Sequence, residues 1–318
     1  MLMGRPSTRS DRGHAIHAHH IQQPHSAIDH VNRVVEWTSR VRIVASSSLR
    51  CDALQVLSSA GGGVAAVRAM LDHWRQSGVK LTEKEYAVAL LAESNAGGQV
   101  SLHASSSSSR LQRLSHLFSC AAADGVVVCT SMMNAALASA TTANPLPLAA
   151  VSSILPLPAP QPDALTVDLV AAALVCDIKL GDGDTESDRS LMDLFRQQGK
   201  PKATFLGHCL PHPTPSTLVA AVKACMRLDR APLAARVMAA ACDAAAGGCA
   251  LMTHRACKAF AHGLHRGVAA KMYSPAFRDA KIEELRCNIA GLKASGRLSE
   301  LEAKECLDAL LIAKPVVM

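Results

Sequence analysis

The chain has 318 residues, of which 49% are hydrophobic but only 3% aromatic, and its formal net charge is +7. This length allows a large core, but one filled by small aliphatic side chains that suit close packing of helices. The positive charge favours a polyanionic partner such as RNA, although a basic protein without nucleic-acid contacts is the alternative. No apolar run reaches the eighteen or so residues of a membrane span, so we expect no membrane insertion.

The first fifty residues carry seven arginines against three acidic residues and have no secretory-type apolar core. This composition predicts a mitochondrial targeting segment over residues 1–29 and a location in the matrix, or alternatively a disordered terminus. Six histidines in this part of the chain suggest a metal site, but no cysteine or paired carboxylate stands beside them at ligand spacing, and we expect none. They are His14, His17, His19, His20, His25 and His30.

From about residue 30 onward, short amphipathic helices alternate with turn residues. A helix predicted over 64–76 ends before Gly78, which we expect to adopt a left-handed conformation. Thr82 then begins a new helix, and Glu85 lies at the spacing of a capping box. The sequence therefore predicts an all-α protein.

Residues 215–249 contain two helices within thirty-five residues. Thr214 and Pro215 suit the N-cap and first position of one helix, and a second helix is predicted over 231–246. A pair this small cannot bury its own apolar face, so it requires similar pairs stacked on both sides. The chain should contain further copies.

Several segments interrupt this pattern. The glycine- and serine-rich stretch 95–109 predicts a flexible insertion, and four prolines between 156 and 162 exclude further helix there. The run GDGD at 181–184 suggests a calcium loop, but the bidentate glutamate at loop position twelve is missing.

The candidate catalytic and cofactor-binding motifs are incomplete. Three glycines at 61–63 lack the preceding strand and following Gly-Lys-Ser/Thr of a phosphate loop. His208, Cys209 and His212 lie close together, but no further ligand completes a zinc set and no acid orients a catalytic pair. We therefore expect no catalytic residues, no metal and no cofactor, and predict that the chain is not an enzyme.

Two stretches share one pattern, in which a helix ends in Gly-Val, a short extended link follows, and a new helix begins. They are DHWRQSGVKLTEKEYAVALLAES and HLFSCAAADGVVVCTSMMNAALASA. Both resemble the junctions between pentatricopeptide repeats. PDALTVDLVAAAL is similar to the first helix of such a repeat. Copies starting at Glu83, Thr130, Ala164, Pro215 and Ala250 are spaced by 47, 34, 51 and 35 residues, two of them at or beside the family's period. The resemblance implies a right-handed alpha-alpha superhelix, a solenoid of helical hairpins.

In that family, the fifth residue of the first helix and the last residue of the repeat together read one RNA base. For the copy at Thr130 these positions are Asn134 and Asp163, a combination that the family uses for a pyrimidine, typically uracil. The alternative is that Asn134 bonds to nearby backbone and that Asp163 is a plain N-cap. The other copies depart from the pattern, with the pairs Ala87 and Cys129, Asp168 and Thr214, and Val219 and Cys249.

The C-terminal region is charged and amphipathic, and it predicts a helical hairpin that turns at Ser295-Gly296 and caps the array. Cationic residues just before and within this region form the strongest candidate patch for RNA phosphates. The alternative for each is a solvated charged face. They are Arg255, Lys258, Arg266 and Lys271, followed by Arg278 and Lys281.

These observations divide the chain into the N-terminal segment 1–29, degenerate repeats over 30–265, and a C-terminal cap over 266–318. Two functions follow from the resemblance. One is a structural subunit of a mitochondrial ribonucleoprotein, such as the mitochondrial ribosome, that contacts RNA phosphates and neighbouring proteins. The other is an organellar factor that binds single-stranded messenger or ribosomal RNA for its processing, stability or translation.

Overall fold

The computed structural model describes residues 45–59, 63–96, 107–142, 144–178, 186–196, 204–244 and 251–311, together with Asp29 and Arg33. Of the described residues, 76% are helical, so the predicted all-α class is confirmed. The predicted targeting segment, its histidines, the GDGD run and the repeat start at Ala250 lie outside the described residues, apart from Asp29. No described helix combines the length and the apolar character needed to cross a membrane.

Thirteen α-helices are described. They are α1 (Ser47–Ser59), α2 (Gly63–Gln76), α3 (Glu83–Asn95), α4 (Ser107–Ala123), α5 (Thr130–Leu137), α6 (Leu148–Ile154), α7 (Ala164–Asp177), α8 (Glu186–Arg196), α9 (Pro215–Arg227), α10 (Ala231–Ala244), α11 (His254–Ala269), α12 (Pro275–Ala294) and α13 (Glu300–Leu311). A 3-10 helix, Ala138–Thr141, follows α5, and two short antiparallel strands, β1 (Thr204–Phe205) and β2 (His208–Cys209), precede α9.

Two helices, α3 and α9, begin where capping residues were predicted. Thr82 and Glu85 form a capping box at the start of α3, with the Thr82 N–H donating to the Glu85 carboxylate over 3.0 Å. Thr214 caps α9, and Pro215 occupies its first turn, where the missing N–H costs nothing. These local signals confirm the predicted starts of both helices.

Five helices end in the same turn, in which a left-handed residue is followed by a residue whose N–H bonds back into the last turn of the helix. Three of these residues are glycines, Gly78, Gly125 and Gly296, with φ between 71° and 72°. The prediction for Gly78 is therefore confirmed. Asp229 and Lys271 occupy the same position after α9 and α11 with φ of 56° and 59°, a conformation that a side chain disfavours.

The main helix contacts follow the order of the chain. Each odd-numbered helix packs against the next odd-numbered helix, from α1 through to α13. Among the even-numbered helices, α4 contacts α6, α8 contacts α10, and α10 contacts α12. The pair α12 and α13 continues this alternation, because α12 packs on α10 and α13 packs on α11.

Small residues fill much of the core and let helices approach closely. Gly263 of α11 lies against Met226 of α9, and a Cβ at residue 263 would come within 2.3 Å of the Met226 Cε atom. Gly267 is covered in the same way by the ring of Tyr273. Close contact between α9 and α11 thus depends on the absence of a side chain at residue 263, and the packing of Tyr273 on α11 depends on its absence at residue 267.

Three predicted boundaries differ from the structure. Helix α4 begins at Ser107, so the last three serines of the predicted insertion are helical, whereas 97–106 lie outside the described residues. The first helix of the last copy begins at His254 rather than Ala250, because Thr253 is its N-cap and accepts a hydrogen bond from the Ala256 N–H. The boundary placed between residues 265 and 266 falls inside α11, which ends at Ala269.

Candidate nucleic-acid interface

Asn134 is the fifth of the eight residues of α5 and faces the start of α7. Its Nδ2 atom donates to Oδ1 of Asp163 over 3.0 Å, and its Oδ1 atom accepts from the Thr166 hydroxyl over 2.8 Å. The residue is only 5% exposed. Both ends of the amide are therefore used in bonds between two successive odd-numbered helices.

Asp163 is the N-cap of α7, which was the alternative to base reading in the sequence analysis. Its Oδ1 atom accepts from the Thr166 N–H over 2.8 Å, and the Asp163 N–H donates to the Thr166 hydroxyl over 3.0 Å. Partial burial opposes ionisation of this carboxyl, but the hydrogen bonds from Asn134 and Thr166 outweigh it and hold the pKa of Asp163 below its ordinary value. Asp163 is nevertheless exposed, so its carboxylate reaches solvent beside Asn134.

The same relationship recurs one step along the chain, from α7 to α9. Asp168 occupies the fifth position of α7, as Asn134 does in α5. Its carboxylate accepts from the Ser216 hydroxyl over 2.7 Å and from the Thr217 hydroxyl over 2.6 Å, both in the first turn of α9. At two consecutive steps, the position predicted to read a base is bonded to the next odd-numbered helix.

Sequence reasoning missed Thr166 and Thr217, which complete these contacts. Both are fully buried, and both lie three residues after an N-cap, where a threonine takes the role of the usual glutamate in a capping box. That spacing was readable from the sequence. Their bonds to the preceding helix were not, because these depend on how two helices pack.

Two of the predicted phosphate-binding residues, Arg255 and Lys258, are exposed on α11. Intervals of three or four residues place His262 and Arg266 on the same face of this helix, and both are also exposed. The structure therefore brings three of the cations predicted to bind phosphates, Arg255, Lys258 and Arg266, onto one helical face.

Arg266 is only partly free to bind a phosphate. Its Nη2 atom donates to the backbone oxygen of Met226, in the last turn of α9, and lies 3.8 Å from the Asp229 carboxylate. Arg230 makes a similar bond to the backbone oxygen of Val175, in the last turn of α7. The last carbonyl groups of a helix have no hydrogen-bond partners within it. At the ends of α7 and α9, arginine side chains supply such partners.

Lys271 lies in the turn after α11 rather than on its exposed face. Its backbone is left-handed, and its N–H donates to the Val268 oxygen over 3.0 Å. The side chain is exposed, but the position is determined by the turn. Lys271 therefore lies beyond the α11 face that carries Arg255 and Lys258.

The two cations on α12 face carboxylates. Arg278 lies 2.7 Å from Asp279, and Lys281 lies 2.6 Å from Glu284. Since opposite charges at this range reduce the local positive potential, both residues contribute less to a phosphate-binding face than Arg255 and Lys258. His265 lies nearby, and burial, with the charges of Arg278 and His262, lowers its pKa and favours the neutral ring.

His208, Cys209 and His212, which were considered for zinc and for catalysis, are not assembled into a site. His208 Nε2 lies 2.8 Å from the Ala159 backbone oxygen, and Cys209 and His212 are exposed. Within the described ranges, no group of three histidine, cysteine or acidic side chains is placed to hold a metal ion.

No known family model matches the sequence, and no curated protein matches it at a significant level.

Proposed function

We propose that the chain is a degenerate pentatricopeptide-repeat protein whose helical pairs stack into a right-handed superhelix. The succession of contacts from α1 to α13 supports this arrangement, since each unit packs on its neighbour in the chain. Four expected repeat starts, at Glu83, Thr130, Ala164 and Pro215, coincide with the first residues of α3, α5, α7 and α9. The repeat spacing varies because loops of different length join the helices.

We infer that this solenoid is a structural subunit of a mitochondrial ribonucleoprotein, such as the mitochondrial ribosome. The observation that carries the proposal is the use of Asn134 and Asp168 as bonds between helices. A buried amide that already donates and accepts has little capacity left to discriminate between bases. The apolar residues at the same position in the other copies, Ala87 and Val219, cannot hydrogen-bond a base edge.

RNA would then be held by its phosphates. Arg255 and Lys258 are exposed on one face of α11, and the formal net charge of +7 adds long-range attraction for a polyanion. The arginine-rich N-terminal segment supports a mitochondrial location. Neighbouring protein subunits would cover the remaining surface of the helical array.

The alternative function is an organellar factor that binds single-stranded RNA and reads at least one base. The exposed carboxylate of Asp163 beside Asn134 favours it, because this pair could still meet one pyrimidine at the helix start. A single pair would specify one base and not a sequence.

A comparison of two RNAs distinguishes these functions. Fluorescence anisotropy would measure the binding of oligouridine and of a mixed-sequence RNA of equal length between about 50 and about 200 mM KCl. The structural role predicts equal affinities for the two RNAs and a steep loss of affinity with salt. A preference for oligouridine of about tenfold or more, which equals about 1.4 kcal/mol, would favour base reading instead.

A further inference from the structure

A second group of cationic and polar side chains lies far from α11 in the chain, between α2 and α4. These helices line an open groove of about 390 Å³. Arg68 comes from α2, and the other lining residues come from α4. They are Gln112, Arg113, Ser115, His116 and Ser119.

The two arginines of the groove are held in place by a buried carboxylate of α3. Glu93 has a side chain that is only 1% exposed, and it forms ion pairs with Arg68 and, over 2.9 Å, with Arg113. Arg113 Nη1 also donates to the Ser109 hydroxyl over 3.1 Å. A single carboxylate thus positions guanidinium groups from two helices, which reduces the entropy lost when a ligand binds.

The charge of the two arginines exceeds that of Glu93. One carboxylate faces two guanidinium groups, so one positive charge remains unbalanced at the groove. The contacts with Glu93 and Ser109 use Nε and Nη2 of Arg68 and Nε and Nη1 of Arg113. Each arginine has one further terminal nitrogen, Nη1 in Arg68 and Nη2 in Arg113, and these two nitrogens would donate hydrogen bonds to a ligand.

All of the residues lining the groove carry hydrogen-bond donors, and none of them is acidic. Arginine, glutamine, serine and histidine side chains together suit a ligand that presents several acceptor oxygens and a negative charge. The acidic residue of α2, Asp72, lies one turn after Arg68 and near Cys120 of α4, and it does not line the groove. The groove therefore has the chemistry of an oxyanion site.

We propose that this groove binds a backbone phosphate of RNA. The assignment rests on the proposed function, because it adds a phosphate contact remote in sequence from α11. The groove is open to solvent, so a polymer can continue on either side of the bound phosphate. Guanidinium groups from opposite walls then make charge-assisted hydrogen bonds to its oxygens.

Ser119→Glu tests the groove without removing either arginine. Ser119 is exposed, and its hydroxyl only bonds back to the Ser115 carbonyl within α4, so the substitution leaves the Glu93 ion pairs in place. The matched control is Ser153→Glu, since Ser153 of α6 is also exposed and also bonds back within its helix. Both variants change the net charge by the same amount.

Binding of oligouridine by the full chain would be measured for the wild type and both variants across the KCl series. A carboxylate beside the two guanidinium groups should weaken binding by about tenfold and lower the salt slope, whereas Ser153→Glu should weaken it by less than about twofold. Equal effects of the two variants, or no effect of Ser119→Glu, would contradict phosphate binding in the groove but not RNA binding by the protein. If the wild type binds no RNA, both the proposed function and phosphate binding in the groove are contradicted.

Discussion

The amide of Asn134 and the carboxylate of Asp163 bind each other, with Nδ2 and Oδ1 3.0 Å apart. This contact joins α5 to the first turn of α7, and Asp168 joins α7 to α9 in the same way. A position that the resemblance assigns to base reading therefore stabilises the contact between neighbouring units. In the proposed repeat array, contacts between units and the reading of bases would compete for the same side chains.

Asn134→Ala should destabilise the protein more than it weakens RNA binding. It leaves the buried Thr166 hydroxyl without its acceptor on α5 and removes a donor to Asp163, which should lower the free energy of unfolding by about 1–3 kcal/mol. Urea unfolding followed by circular dichroism measures this change, with Ser153→Ala as a surface control. A variant of unchanged stability that loses affinity for oligouridine alone would contradict the structural role.

Glu85→Gln should reduce stability and flatten its dependence on acid pH. Glu85 is fully buried and pairs with Arg50, itself 6% exposed, at 2.7 Å. Removing one partner of such a pair leaves a buried charge uncompensated and costs about 3 kcal/mol. Glu83→Gln, on the exposed side of the same helical turn, is the control and should change stability by less than about 0.5 kcal/mol.

The direction of the pH effect follows from the pKa of Glu85. Burial opposes ionisation, but hydrogen bonds from Thr82 and Ser47 hold the pKa of this carboxyl below its ordinary value of 4.5. A carboxyl with a lowered pKa in the folded state stabilises the fold above 4.5, and that stability is lost as the pH falls through and below this value. Unfolding measured between neutral pH and about pH 3 should show a smaller loss in Glu85→Gln than in the wild type. Identical pH profiles for the two proteins would contradict this role.

Lys258→Gln should weaken binding of every RNA to a similar extent. Lys258 is exposed on the α11 face, and removing one phosphate contact should reduce the slope of log affinity against log salt by about 0.7 for a single strand. Lys304→Gln is the charge-matched control, because Lys304 is exposed on α13. If the two substitutions reduce affinity equally, the α11 face has no specific part in binding.

Lys271→Gly tests whether residue 271 matters for the conformation of the turn or for its positive charge. Residue 271 has a φ of 59°, a region that costs a side chain about 1 kcal/mol and glycine almost nothing. Thermal unfolding should therefore show equal or greater stability for the variant, and RNA affinity should fall less than in Lys258→Gln. A loss of stability would mean that the lysine side chain itself holds the turn.

Local signals in the sequence accounted for the starts of α3, α7 and α9. Thr82, Asp163 and Thr214 are N-caps whose side chains and third following residues can be recognised without knowledge of the fold. The left-handed turn at Gly78 was equally readable. The β-hairpin over 204–209 was not, because its turn uses Leu206, a residue that rarely adopts a positive φ, beside Gly207.

The candidate site was only partly readable, since its geometry depends on contacts between helices. The sequence grouped Arg255 and Lys258 in one cationic patch, and both are exposed on α11. The bond of Arg266 to the end of α9 did not, because nothing near it in the sequence indicates which helix it faces. The groove between α2 and α4 was missed for the same reason, as Glu93, Arg68 and Arg113 come from three helices.

Sedimentation of the tagged protein from a mitochondrial extract tests the central proposal most directly. The account predicts that the protein migrates with a large ribonucleoprotein, such as a ribosomal subunit, and that ribonuclease treatment shifts both to lighter fractions. Migration at the position of a free 33.4 kDa protein, with and without ribonuclease, would contradict it.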